Sequence, residues 1–255
     1  MINEVVKNPS VLVPKKHIFL ISHMRANTTL LGHVFGSHQD VSGYYEHHIG
    51  YFSWKSLVRQ KLKFSKENPN EPVTSVYFDK VLHSSRIFND YVIKSKNTRF
   101  LFMLRKPERT IKSIVALYMR VEPTNDYVSI SYAADYYIER VKQIGELAKR
   151  CSQNGKFYYL DSEVITSEKD SALETLSHWY GLHPSLTSEY RSFELTGKRK
   201  YGDSSDNIKT GKINASTNAY QDIVIDKKLL DKCNEIYDTV RREIIDLAED
   251  SMLEK

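Results

Sequence analysis

The chain has 255 residues, 40% of them apolar and 27% charged, which is enough for one full α/β domain and short for two. A formal net charge of +5 suits an anionic ligand but is too small and too dispersed to indicate a nucleic-acid partner. No apolar run approaches the ~18 residues of a membrane span, and MINEVVKNPS at the N-terminus lacks the charged-then-apolar layout of a signal peptide. Cys151 and Cys233 lie too far apart for a disulfide framework or a zinc spacing, so a reducing cytoplasm is the expected home.

The first apolar run, His17 to Ile21 between Pro14 and Ser22, predicts a strand buried on both faces. A polar turn, Ser22 to Asn27, leads into Thr28 and Thr29. Leu30, Leu31, Val34 and Phe35 then recur at helical spacing. Such a strand, polar loop and hydroxyl-bearing helix start is suited to an anion: free backbone N–H groups and the helix dipole face the loop, and Arg25 adds a forked cation. Val41 to Tyr45 predicts a second strand ending at Glu46-His47-His48, and Trp54 to Lys63 a helix broken by Pro69 and Pro72. Val76 to Leu82 predicts a third strand, closed by His83. Arg99 to Leu104 is a further buried strand, Arg105-Lys106-Pro107 a turn, and Glu108 to Arg120 a helix with Pro107 at its first position. Tyr132 to Arg150 predicts a helix, Phe157 to Leu160 a fifth strand, and Ala172 to Tyr180 a helix capped by Gly181. Lys198 to Ile213 has no apolar period and predicts a long functional loop; the last helix carries Leu229, Cys233, Ile236, Val240, Ile244 and Leu247. Strands alternating with helices imply one three-layer α/β domain, its core about residues 15–250: a mostly parallel sheet with helices on both faces and ligands at the strands' carboxyl ends.

Three pieces, in order, resemble the sulfotransferases that use 3′-phosphoadenosine 5′-phosphosulfate (PAPS). Met24-Arg25-Ala26-Asn27-Thr28-Thr29 resembles their P-loop-like 5′-phosphosulfate loop. Leu104-Arg105-Lys106-Pro107 with Ser113 resembles their 3′-phosphate motif. Gly202 to Ile213, including Lys209, Thr210, Gly211 and Lys212, is similar to a late loop of bacterial members. The sequence departs from the family pattern at Asn27, where glycine is usual, at Ala26, where a serine is usual, and at Arg25, where many members carry lysine. Asn is the next most tolerant residue for a left-handed backbone. The resemblance implies PAPS as donor, 3′-phosphoadenosine 5′-phosphate (PAP) as product, no metal, and Arg25, Ala26, Asn27, Thr28, Thr29, Arg105, Ser113, Lys209, Thr210, Gly211 and Lys212 as nucleotide-binding residues.

A general base must take the acceptor's proton. Glu46 and His48, two apart on an extended segment, would share a face, and His83 ends the next predicted strand; Lys80 could neutralise the sulfuryl oxygens. The implied acceptor is a hydroxyl or amine of a small molecule, such as a metabolite or natural product, near Tyr44, Tyr45, Tyr51, Phe52, Trp54, Tyr118, Tyr127, Tyr132, Tyr136 and Tyr137. Two other readings compete. A P-loop kinase would want Gly-x-x-x-x-Gly-Lys-Ser/Thr and a magnesium carboxylate, which the first loop lacks; a non-catalytic nucleotide-binding protein would keep the pocket alone. The amphipathic last helix could pack on the core or on a second copy in a homodimer.

Overall fold

Along the first strand Phe19 and Ile21 face one buried layer, Ile18 and Leu20 the other, and all four are almost inaccessible to solvent. An apolar run without polar alternation is what a strand covered on both sides requires. In the computed structural model, which describes residues 9–72, 74–153, 157–198, 206–214 and 220–254, this strand, β1 (Lys16–Ile21), lies inside a six-stranded sheet. The other strands are β2 (Val41–Ser42), β3 (Val76–Val81), β4 (Thr98–Leu104), β5 (Phe157–Asp161) and β6 (Asp250–Met252). Their order is β2-β3-β1-β4-β5-β6, and every pairing is parallel.

The helices are α1 (Thr28–Ser37), α2 (Trp54–Glu67), α3 (Asp90–Ile93), α4 (Pro107–Val121), α5 (Ile130–Ser152), α6 (Val164–Ser167), α7 (Lys169–Tyr180), α8 (Asp206–Lys209) and α9 (Lys227–Leu247). One core layer joins Ile111 and Ile114 of α4, Ala134, Val141 and Ile144 of α5, and Val240 and Ile244 of α9 to Phe19, Phe100 and Phe102. The opposite layer joins Leu31 and Phe35 of α1 and Leu173 and Leu176 of α7 to Ile18, Leu20, Leu101 and Met103. The C-terminal helix thus packs its apolar stripe on its own core. Among the described residues no helix is long and apolar enough to cross a membrane.

Short helices at Asp90–Ile93, Val164–Ser167 and Asp206–Lys209 go beyond the sequence reading, the last of them inside the predicted long loop, and two strands differ from it. The second strand stops at Ser42 instead of Tyr45, because Gly43 takes φ 108° and presses its backbone on Phe78, where an added Cβ would lie 2.3 Å from the Phe78 carbonyl oxygen. Tyr44 and Tyr45 leave the sheet there and are buried against Phe193 and Phe64. Strand β6 was not anticipated, since Asp-Ser-Met carries no strand pattern. It is fixed from outside: Glu249 N–H donates to the Phe157 carbonyl at 2.9 Å, Trp179 Nε1–H to Asp250 Oδ2 at 2.9 Å and Glu254 N–H to Asp161 Oδ2 at 2.9 Å.

The order positions the site. From β1 the chain proceeds toward β2 and β3; from β4 it proceeds the other way, toward β5. The loops after β1 and β4 therefore diverge and leave a crevice at the carboxyl ends of two neighbouring strands. Helix α1 seats closely beside it, because Gly32 offers no side chain: a Cβ would stand 2.4 Å from the Tyr44 carbonyl oxygen and 3.5 Å from Lys80 Cδ. Gly32→Ala is expected to cost about 2–3 kcal/mol of stability through overpacking, measured as a lower urea midpoint with an unchanged slope.

Candidate active site

The loop after β1 is held by its neighbours at almost every residue. Ser22 Oγ–H donates to the Met103 carbonyl at 2.7 Å. His23 Nε2 accepts the Arg105 backbone N–H at 3.1 Å, so its proton sits on Nδ1 and is donated to the Met24 carbonyl at 2.9 Å. Met24 N–H donates to the Tyr136 hydroxyl at 3.0 Å. Arg25 and Asn27 both adopt left-handed backbone, with φ 63° and 57°. The Asn27 conformation is the one in which Asn best replaces glycine. Its side chain does not cap α1; Nδ2 instead donates to the carbonyl and hydroxyl of Ser162, at 3.2 and 3.1 Å, tying the loop to the end of β5.

Three of the sequence candidates meet here. Arg25 Nε donates to Ser113 Oγ at 2.9 Å, and Arg105 Nη1 donates to the Arg25 carbonyl at 2.7 Å across 80 residues of sequence. Pro107 starts α4 with Lys106 as its cap, which turns Ser113, two turns on, toward the loop. Arg105 is largely buried, and burial lowers its basicity while Glu163, 4.0 Å away, raises it. Its Nε is buried without a hydrogen-bond partner among the described residues. Burial in turn pushes the Glu163 carboxyl up, against the pull of Arg105 and of the Lys106 N–H at 3.3 Å.

Beside this cradle, buried Lys80 on β3 reaches Thr29 Oγ1 at 3.4 Å, joining a strand cation to the start of α1. The three base candidates also come together. Glu46, buried, places Oε1 3.6 Å from His48 Nδ1 and Oε2 3.8 Å from His83 Nε2, and weakly accepts the Leu82 N–H at 3.5 Å. The extended-strand reason for pairing Glu46 with His48 is not the one the structure uses: β2 has already ended, and His48 has φ 54°. A loop, not strand alternation, brings the pair together. Burial lowers the His83 pKa below its ordinary 6.5, and the Glu46 charge opposes that shift.

From the described part of the late loop, 206–214, three hydrogen bonds run to the segment before it. Tyr190 N–H donates to the Gly211 carbonyl at 2.8 Å, Ile213 N–H to the Ser188 carbonyl at 2.9 Å, and Tyr190 Oη–H to the Lys212 carbonyl at 3.3 Å. Thr210 Oγ1 bonds the Lys212 carbonyl at 3.2 Å. Gly202 to Ser205 lie outside the described residues. Tyr44, Tyr45 and Tyr51, candidates for an acceptor pocket, are core instead: each is fully buried, and Tyr51 hydrogen-bonds the buried Asp79 carboxylate. Phe52 and Trp54 remain exposed.

Sequence reasoning missed several contributors. Arg140 of α5 is buried and donates from Nε to the Ser22 carbonyl at 3.0 Å and from Nη2 to the Val81 carbonyl at 2.7 Å, joining the ends of β1 and β3. Its only sequence signal is a cation beside an otherwise apolar helical stripe. Ser162 and Glu163 directly follow a predicted strand, so the rule that ligands gather at strand ends could have found them.

Three histidines are buried neutral. His17 and His33 are pushed down to about 4 and His23 to about 3, in each case chiefly by burial. The unfolded chain protonates all three below about pH 6.5, whereas the folded chain resists until pH 3–4. Stability is thus complete above pH 6.5 and is lost as pH falls, at up to about 1.4 kcal/mol per pH unit for each histidine. Urea titrations from pH 7.5 to 4.5 should show this decline; a flat profile would contradict neutral burial.

No family model matches the chain, and no curated protein matches it. Among solved structures, the chain is similar to a sulfotransferase domain from the curacin biosynthetic pathway, with a TM-score of 0.61 and 14% identity over 90% of this chain and 98% of that domain. The chain has the sulfotransferase fold. The all-parallel sheet, with helices on both faces, is the architecture on which the cradle of Arg25, Arg105 and Ser113 is built.

Proposed function

We propose that the chain is a PAPS-dependent sulfotransferase that moves a sulfuryl group to a hydroxyl or amine of a small-molecule acceptor, a metabolite or natural product. The observation that carries this reading is the joining of two anion-suited loops into one cradle at the crevice between β1 and β4, through Arg105 Nη1 to the Arg25 carbonyl and Arg25 Nε to Ser113. The buried Arg105 Nε, 4.0 Å from Glu163 but without a hydrogen-bond acceptor among the described residues, is a donor that fits an incoming phosphate oxygen. In this reading Arg25, the backbone of Ala26 and Asn27, and Thr28 and Thr29 hold the 5′-phosphate and offset charge on the leaving oxygens. Arg105 and Ser113 hold the 3′-phosphate. Lys209, Thr210, Gly211 and Lys212 border the nucleotide from the late loop.

PAPS supplies an activated sulfuryl group, and by analogy with phosphoryl transfer its in-line passage relies on positioning and charge stabilisation. Lys80, held beside Thr29, neutralises the sulfuryl oxygens. His83 or His48 takes the acceptor's proton, with Glu46 orienting both rings and stabilising the imidazolium that forms. None of these steps calls for a metal ion.

The test is thermal unfolding with PAP, AMP, ADP, or ATP with magnesium. A ligand at 100 times its dissociation constant adds roughly 2.7 kcal/mol of stability. A rise in midpoint that requires the 3′-phosphate is the expected result. A rise with ATP and magnesium alone would favour the kinase reading, and PAP binding with no transfer to any acceptor would favour a non-catalytic binding protein.

A further inference from the structure

Just past the base cluster, the turn from His83 to Arg86 is closed by the Arg86 N–H donating to the His83 carbonyl at 3.1 Å. Arg86 is half-buried, and its Nε is buried with no hydrogen-bond partner among the described residues. The nearby carboxylate does not serve it: Glu46 is turned to His48 and His83. A buried guanidinium donor left without an acceptor costs free energy that a bound anion would recover. The cation also lies close enough to His83 to depress its basicity.

The surroundings say more about what such an anion is attached to. Tyr51 and Phe88 pair as a parallel bridge, with Tyr51 N–H donating to the Ile87 carbonyl and Asn89 N–H to the Tyr51 carbonyl, both at 2.8 Å. The parallel register sets Gly50 opposite Ile87, the residue after Arg86, and Phe52 opposite Asn89. Phe52 and Ile87 are 56% and 53% exposed, against buried Tyr51 and Phe88 between them. The Phe52 ring folds back over Gly50, where a Cβ would stand 2.6 Å from the ring, which brings it toward Ile87 on the facing segment. An exposed aromatic ring and an exposed apolar side chain, the latter adjacent in sequence to a guanidinium whose Nε lacks an acceptor among the described residues, form an amphipathic recognition surface.

We propose that Arg86 is an acceptor-recognition residue that binds an anionic group, a carboxylate or a phosphate, on an acceptor whose apolar body rests on Phe52 and Ile87. The naming of the ligand as acceptor rests on the sulfotransferase reading; the anion site itself does not. Arg86 then does two things at once: it orients the acceptor toward the Glu46–His48–His83 cluster, and it excludes neutral analogues that leave its donors unpaired.

Calorimetric titration of phenylacetate, phenyl phosphate and phenylacetamide into the protein, with and without PAP, tests this. At least one of the two anions should bind about tenfold or more tightly than the amide, which has the same body without the charge. Preference for phenylacetate assigns a carboxylate acceptor, preference for phenyl phosphate a phosphorylated one. Arg86→Gln should erase the preference and leave amide and PAP binding unchanged, and Arg86→Lys should keep part of it. Anions that bind no better than the amide, or a preference that survives Arg86→Gln, would overturn the proposal. Failure of PAP to bind the wild-type protein would instead sink the sulfotransferase reading, while the titrations without PAP still decide for or against the anion site.

Discussion

Arg105→Ala is expected to abolish the PAP-dependent rise in thermal midpoint. In the free protein the Arg105 guanidinium already spends Nη1 on the Arg25 carbonyl, which fixes the left-handed turn of the first loop, while Nε makes no hydrogen bond among the described residues and lies 4.0 Å from Glu163. The substitution removes both the clamp and the free donor. Charge-assisted hydrogen bonds contribute about 1.5–3 kcal/mol each, so losing the one to phosphate should raise the PAP dissociation constant by about ten- to a hundredfold, and loss of the clamp on the loop adds to that. Arg105→Lys should rescue little, since a point charge cannot hold the carbonyl and a phosphate oxygen together. A second consequence separates binding from folding. Without Arg105, the buried Glu163 carboxylate loses the cation 4.0 Å away that opposes its raised pKa. Arg105→Ala should therefore be less stable than wild type, and Arg105→Ala with Glu163→Gln should regain stability without regaining PAP. Both are read from the same melting curves with and without ligand. Undiminished PAP stabilisation in Arg105→Ala would remove the 3′-phosphate role.

Glu46→Gln is expected to lower kcat by about a thousandfold, within the range general acid–base groups contribute, with PAP affinity unchanged. The carboxylate lies between two imidazoles, 3.6 Å from His48 and 3.8 Å from His83, and is the charge that holds up the His83 pKa against burial. Removing it should let that pKa fall further. The pH profile tests this independently of the rate. The His83 pKa already lies below 6.5, so the wild-type rate should be level at neutral pH and decline as acid protonates the ring. In Glu46→Gln that acid limb should move to lower pH. His83→Ala and His48→Ala, measured alongside, identify which ring takes the proton, because only loss of the true base should remove the limb. If Glu46→Gln, His48→Ala and His83→Ala each turn over at near wild-type rates, the cluster is not the base.

Local pattern was enough for the central architecture. The buried strands β1, β4 and β5 and the helices after them were legible because their signals lie within about ten residues: uninterrupted apolar runs, 3.6-residue stripes, Pro107 at a helix start and Gly181 at a helix end. The anion-suited loops were legible for the same reason, since a helix start with hydroxyls and a nearby arginine is written contiguously. Even the unusual Asn27 could be read correctly, because left-handed tolerance is a property of the residue itself.

What depended on distant neighbours was not legible. Strand β2 is two residues long because Phe78 crowds Gly43, and β6 exists because Trp179, Phe157 and Asp161 fasten it, contacts 71 to 93 residues away for its side-chain and terminal anchors. Strand alternation does not explain the Glu46–His48–His83 cluster; its members meet because the loop after β2 carries Glu46 to the carboxyl end of β3, where it faces Leu82 and His83. Arg140 looks like an ordinary surface residue in sequence, and only the approach of α5 to the first loop buries it. Residue chemistry and periodicity determined which groups were available. The order of the strands decided which of them share a crevice, because that order is set by the burial of whole layers and not by any single stretch of chain.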